Sequence, residues 1–236
     1  MNKLAMMLVA GAATVFSATA KTYPVLVSYP GDVGKQGWRI EASEKGQLVY
    51  IPFEGYYESK GGSIVGPKFK FDKQEGESAF YQLTFTSKSR SNGYWWCDFF
   101  DKRGKMLPDI NSRLYESGDW KTVTVQFPCD PRAVEGQLRF VSSKGCTVKD
   151  VSLRRVDVAT AAKWCDDLYA TLPQVDMNVP DDPFRLLPKT RKALREGKKL
   201  RVVLLGDSIV NDTYCSCFTA LVMRDYPNVE FYISVR

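Results

Sequence analysis

The chain has 236 residues, of which 44% are apolar and 25% charged, with a formal net charge of +6 and no histidine. This is the composition of an ordinary globular protein; it excludes a chain disordered throughout and is long enough for one or two domains. With no histidine, these residues do not supply the side chain most often used as a general base.

The N-terminal stretch "MNKLAMMLVAGAATVFSATA" joins Lys3 to an apolar run from Leu4 to Phe16, with small residues at Ala18 and Ala20. This pattern predicts a signal peptide over residues 1–20, cleaved before Lys21. The apolar run is too short to span a bilayer comfortably, and no later segment is long enough either. The expectation is a secreted or periplasmic protein with no stable membrane insertion after cleavage. Six cysteines in an exported chain raise the question of disulfides, and the sequence does not choose among the pairings.

Residues 21–156 predict a β-sandwich. "FYQLTFTS" alternates Tyr81, Leu83 and Phe85 against Gln82, Thr84 and Thr86, and "WKTVTVQF" alternates again. Short strands broken by Gly, Pro, Asn and Asp are the signature of such folds. The stretch "NGYWWCDFF" is rich in aromatics. If Asp98 faces water, alternation sends Tyr94 and Trp96 out with it and turns Trp95, Cys97 and Phe99 inward. Outward rings suit the apolar face of a sugar, which makes Tyr94 and Trp96 the candidate sugar contacts. The other reading packs both tryptophans in the core or against a second domain. Trp38, Tyr56 and Tyr57 are weaker candidates. If Trp120–Pro128 runs outward, Gln137–Ser142 returns beside it and Cys146 opens the next strand, then Cys129 and Cys146 lie at opposite ends of the sandwich. They are then not disulfide-bonded to each other.

Residues 157–187 predict a helix and a linker. Asp157 is placed to cap a helix carrying Ala161, Trp164, Leu168 and Leu172 at helical spacing, ended by Pro173. Residues 188–236 predict one βαβ unit. A short helix from about Pro188 to Glu196 stops at Gly197. "RVVLL" reads as a strand buried on both faces in a parallel sheet, Asp212 as the cap of one following helix, and "NVEFYISV" as a second strand. The basic run "KTRKALREGKKLR" is expected to be a solvated helix face, with no nucleic-acid partner.

Within "LRVVLLGDSIVND", a strand delivers the chain to Gly206, where a missing side chain permits a sharp turn. Ser208 then sits outside the carboxyl end of a parallel strand and at a helix start, whose N–H groups favour negative charge. The same order also fits a plain turn in which Asp207 or Ser208 caps the helix. No G-x-G-x-x-G or G-x-x-x-x-G-K-[ST] pattern is present to make it a nucleotide site.

"VVLLGDSIVND" resembles the first block of the SGNH hydrolases, the GDSL esterase/lipase family. The resemblance covers about residues 200–236. It implies that Ser208 is the nucleophile, that Gly206 and Asp207 shape its turn, and that the Ser208 N–H forms part of an oxyanion hole. The remaining oxyanion residues and the Asp-x-x-His block of that family have no counterpart in these residues. Residues 36–155 resemble the galactose-binding-like jelly rolls of carbohydrate-binding modules, through Trp120, Val123, Val125 and Phe127 and the closing "VKDVSLRRV".

The expected fold class is therefore an all-β jelly-roll sandwich followed by the start of a flavodoxin-like α/β domain, truncated. The expected function is that of an exported serine esterase, a carbohydrate deacylase acting on an ester or acylated carbohydrate, with no metal and no cofactor. In this reading the 236 residues alone are inactive. The alternative is a non-catalytic carbohydrate-binding or adhesion protein with a degenerate α/β part, and a polysaccharide partner fits both.

Overall fold

The structure is a computed structural model that describes residues 22–29, 37–41, 47–51, 56–60, 62–173, 182 and 184–235. The expected signal peptide and most of the expected linker lie outside the described residues. Two antiparallel sheets face each other. The first has the order β3 (Gln47–Ile51), β4 (Tyr56–Lys60), β11 (Cys146–Val156), β6 (Ala79–Ser89) and β9 (Ser117–Cys129). Its β11 also pairs with β1 (Val25–Tyr29): β4 takes the first part of that edge, at Thr147 and Val148, and β1 the part from Val151 to Arg154. The second sheet has the order β2 (Arg39–Glu41), β5 (Gly62–Lys70), β10 (Glu135–Ser142), β7 (Gly93–Phe100) and β8 (Met106–Leu114).

Alternation explains the interior. Tyr81, Leu83 and Phe85 of β6 have no exposed surface, and Cys97, Phe99 and Phe140 of the opposite sheet have none either. Rings interlock across the gap: Phe85 meets Phe140 edge-on at 5.0 Å, and Trp95 lies 5.8 Å from Phe127. Burying each such side chain contributes about 1.5–3 kcal/mol before the entropy of ordering it is subtracted. The opposite face of β6 is polar. Thr84 pairs with Thr124, Thr86 with Thr122, and the Gln126 amide donates to Gln82 Oε1 at 3.1 Å.

After the sandwich, α1 (Val158–Ala170) starts on Asp157, whose carboxylate accepts from the Thr160 N–H at 2.7 Å as the capping pattern predicts. Its buried side is Ala161, Ala162 and Cys165, whereas Leu168 and Leu172 are exposed and Trp164 is half-buried. Of the stripe expected from Ala161, Trp164, Leu168 and Leu172, Ala161 is buried and both leucines are exposed, because small residues let α1 approach Phe80, Val156, Cys217 and Ala220 closely. Helix α2 (Pro188–Arg195) follows, with Gly197 at φ 64 just past its end.

Strand β12 (Leu200–Leu204) pairs in parallel with β13 (Phe231–Val235), with α3 (Ser208–Cys215) and α4 (Thr219–Asp225) between them. The single helix capped by Asp212 is not found. The first helix begins at Ser208 under an Asp207 cap and the chain breaks at Cys217, whose φ of 63 leaves the helical region. Phe231 and Ile233 are buried in the core shared with the sandwich, while Val203 and Leu205 are exposed, so β12 is not covered on both faces. Ser78 Oγ donates to the Phe231 carbonyl at 2.8 Å, and the Tyr232 hydroxyl lies 2.8 Å from the Gly76 carbonyl.

All six cysteines are free thiols. Strands β9 and β10 belong to different sheets rather than to one hairpin, which corrects the expected neighbour order. The separation of Cys129 from Cys146 holds through β6 instead: Cys129 pairs with Ala79 and Cys146 with Ser89, at the two ends of that strand. Ten residues of strand put them about 33 Å apart, far beyond the reach of a disulfide.

Gly93, at the start of β7, is required by close backbone approach. A Cβ there would lie 2.0 Å from the Val141 carbonyl oxygen, whereas one at Gly118 would meet nothing within 4 Å. Gly93→Ala should therefore lose about 3 kcal/mol or more in urea unfolding, and Gly118→Ala less than about 1 kcal/mol. Equal losses would contradict the tight pairing of β7 with β10.

Candidate functional site

The outward face of the second sheet is built by β7 and its neighbours. In β7 the core takes Trp95, Cys97 and Phe99, and the same alternation turns Tyr94, Trp96, Asp98 and Phe100 outward. Tyr94 is 42% exposed and Trp96 is half-buried; their rings lie side by side, 5.3 Å between centroids and 34° between planes. Only one of the two adjacent tryptophans is a core residue. Trp38, by contrast, is buried against Phe140, and the side chains of Tyr56 and Tyr57 lie outside the described residues.

Register places polar groups around the two rings. Trp96 pairs with Arg139 on β10 and with Asn111 on β8, and Tyr94 pairs with Arg113. Arg139 forms an ion pair with Asp98: Nη2 donates to Oδ1 at 2.7 Å, and Nε lies 2.7 Å from Oδ2 without the geometry of a hydrogen bond. The same guanidinium sits 5.6 Å from the centre of the Trp96 ring. Asp98 points outward as expected but is only 3% exposed. Its burial raises the carboxyl's pKa, and Arg139 opposes that rise. Gln137 is fixed by donating to the Gly66 carbonyl at 2.8 Å, and the Asn111 amide donates to Asp109 Oδ1 at 3.0 Å. Farther along, Lys68 Nζ lies 3.8 Å from the centre of the Phe100 ring.

At the Tyr94 end this face runs into a cleft of about 690 Å³ between the edge of the sandwich and the helices. Asn111 and Arg113 contribute one side, and Trp164 of α1 with Asp212 and Cys215 of α3 contribute the other.

The second candidate site lies at the end of β12. Gly206 has φ 154, and a Cβ on it would lie 2.5 Å from Val210 Cγ2, so the turn accepts only glycine. Asp207 caps α3, its carboxylate accepting from the Ile209 N–H at 3.1 Å. Ser208 is the first residue of α3, and its side chain lies outside the described residues. Among the described residues, no group of three His, Cys, Asp or Glu side chains is placed to hold a metal. Helix α3 reaches the cleft through its C-terminal part, at Asp212 and Cys215, whereas Ser208 opens the helix.

No protein-family model matches the sequence, and no curated protein is similar to it. Solved structures that superpose on the chain include carbohydrate-binding module β-sandwiches. The CBM22-1 xylan-binding domain of Paenibacillus barcinonensis Xyn10C is 13% identical, covering 58% of this chain and 98% of its own, with a TM-score of 0.42. A family 29 module complexed with mannohexaose is also 13% identical, covering 58% and 92%, with a TM-score of 0.37. The enzymatically active domain of bacteriophage CBA120 tailspike protein 4 is 10% identical over 53% of this chain, with a TM-score of 0.42. This chain spans one fifth of that tailspike domain's length.

Sequence reading placed Tyr94 and Trp96 on the outward face but did not bring Arg139 and Asn111 beside them. Nothing within "QLRFVSS" or "MLPDINSRL" marks these side chains as neighbours of Trp96; only the strand register does.

Arg139→Ala should leave Asp98 buried without its cation. The folded-state pKa of Asp98, already raised, then rises further above its unfolded value of about 3.9. A raised pKa stabilises the fold only while the carboxyl is protonated, so that contribution is lost as pH rises through the folded value. The variant should lose about 2 kcal/mol in urea unfolding at pH 7 and clearly less at pH 4. The same loss at both values would contradict the pairing.

Proposed function

We propose that this protein binds a polysaccharide on the outward face of its second sheet, with Trp96 and Tyr94 as the stacking platform. One observation carries the reading: two adjacent outward rings flanked by polar side chains already held in place, Arg139 by Asp98, Gln137 by Gly66 and Asn111 by Asp109. A pyranose ring presents C–H groups on its faces and hydroxyls around its rim. Flat aromatic surfaces suit the faces, and fixed amide and guanidinium donors suit the rim. Because those donors are held before the ligand arrives, little rotamer entropy is lost on binding. Stacking and hydrogen bonding of this kind need no cofactor. The leader-like residues 1–20 support a protein that meets polysaccharide outside the cytoplasm.

The second reading is the esterase one, favoured by the glycine-only turn at Gly206 and the position of Ser208 at the start of α3. It needs a base from outside these residues, since they contain no histidine. In any form of the protein that hydrolyses aryl acetates, Ser208→Ala should lower the rate at least about 1,000-fold with the fold intact. Unchanged hydrolysis rejects Ser208 as nucleophile.

Binding is tested by affinity electrophoresis through gels containing soluble xylan, glucomannan or hydroxyethylcellulose. Wild-type protein should be retarded by at least one of them. Trp96→Ala should weaken that binding at least about 10-fold and Tyr94→Ala less so, in folded protein. Retardation unchanged by both substitutions would reject this face.

A further inference from the structure

Two buried cysteines meet where α1 crosses the junction of α3 and α4. Cys165 of α1 and Cys217 of the junction both have no exposed surface. The Cys165 thiol donates to the Cys217 carbonyl at 3.3 Å and lies 3.7 Å from the Ser216 carbonyl. This puts the Cys165 sulfur directly beside the backbone of Cys217.

A second observation is independent of that contact. Cys217 has φ 63, a left-handed conformation that side chains other than glycine rarely adopt. Glycine would hold this backbone without strain, so the Cys217 side chain is kept at a conformational cost. The other cysteines are placed differently. Cys129 and Cys97 lie in the sandwich, each directing its thiol to a neighbouring main-chain carbonyl, and Cys215 is half-buried at the end of α3.

We propose that Cys165 and Cys217 form a disulfide under oxidising conditions and thereby clamp the helical segment to α1 at the end of the sandwich. The oxidant is a small-molecule disulfide. Because both cysteine sulfurs are buried in the closed fold, exchange proceeds when the helical segment opens locally: the Cys165 thiolate then attacks one sulfur of the oxidant, forming a mixed disulfide and releasing one thiol. The Cys217 thiolate then displaces the second thiol from Cys165, closing the protein disulfide. Two protein thiols are oxidised, one disulfide is reduced to two thiols, and the two protons leave with them. The reverse order, with Cys217 attacking first, closes the same bond. The bond would close a loop from α1 through α2 and β12 to the junction, removing conformational freedom from the unfolded chain. The proposal does not depend on carbohydrate binding.

The test uses the whole chain equilibrated in oxidised glutathione, alkylated at low pH and digested with trypsin without reduction. The expected product links the peptide from Trp164 to Arg185 with that from Val202 to Arg224. Free thiols should fall from six to four. Because the second peptide holds two cysteines, Cys215→Ser should keep the link and Cys217→Ser should abolish it. The oxidised wild-type chain should melt about 5 °C or more above the reduced chain. Six surviving thiols, or a link from Cys165 to Cys215 or to any sandwich cysteine, would overturn the proposal.

Discussion

Strand β7 must satisfy two environments with one alternating run. Trp95, Cys97 and Phe99 fill the space against Phe127 and Phe71, and the pleat then obliges Tyr94, Trp96, Asp98 and Phe100 to leave the core. A shift of one residue would bury Asp98 among phenylalanines and expose Trp95, so the register is strongly specified. Gly93 reinforces it, since only a glycine lets β10 approach the start of the strand so closely. The aromatic platform is thus a consequence of how the core is packed, and its rigidity comes from the same source.

The charged pair completes that arrangement. An unpaired carboxylate as buried as Asp98 would be costly, and Arg139 answers it from the adjacent strand. Arg139 is held in turn and lies over Trp96, so the ring, the guanidinium and the carboxylate fix one another. The opposite face of the sandwich contrasts with this. There the paired threonines and glutamines form a ladder, and Trp120 lies beneath the ammonium groups of Lys88 and Lys149. At the end of the sandwich, β13 adds Phe231 and Ile233 to the shared core, while Ser78 and Gly76 hold its backbone and the Tyr232 hydroxyl.

Much of the sandwich was legible in the sequence because period-two alternation survives in strands with one polar face, as in Tyr81, Leu83 and Phe85. The same rule led to Tyr94 and Trp96. Helix starts with a strong side-chain cap were legible at Asp157, and helix stops at Gly197. The break at Cys217 was not, since no glycine or proline announces a left-handed residue there, and the apolar spacing from Tyr214 to Val222 reads as one helix. The buried side of α1 was misread because large residues draw attention, whereas close helix packing selected Ala161, Ala162 and Cys165. Arg139 and Asn111 were invisible as neighbours of Trp96 because pairing across strands is set by topology, which local pattern does not encode.

The central claim is that a polysaccharide covers Trp96, and tryptophan oxidation tests it within a single sample. Trp38 and Trp95 are buried, whereas Trp96, Trp120 and Trp164 are half-buried and lie on three different surfaces. Brief oxidation with N-bromosuccinimide, followed by peptide mapping, reads each tryptophan separately with and without saturating polysaccharide. The account predicts protection of Trp96, with Trp120 and Trp164 oxidised as before. Undiminished oxidation of Trp96 under saturating polysaccharide, with protection at Trp120 or Trp164 instead, would contradict it.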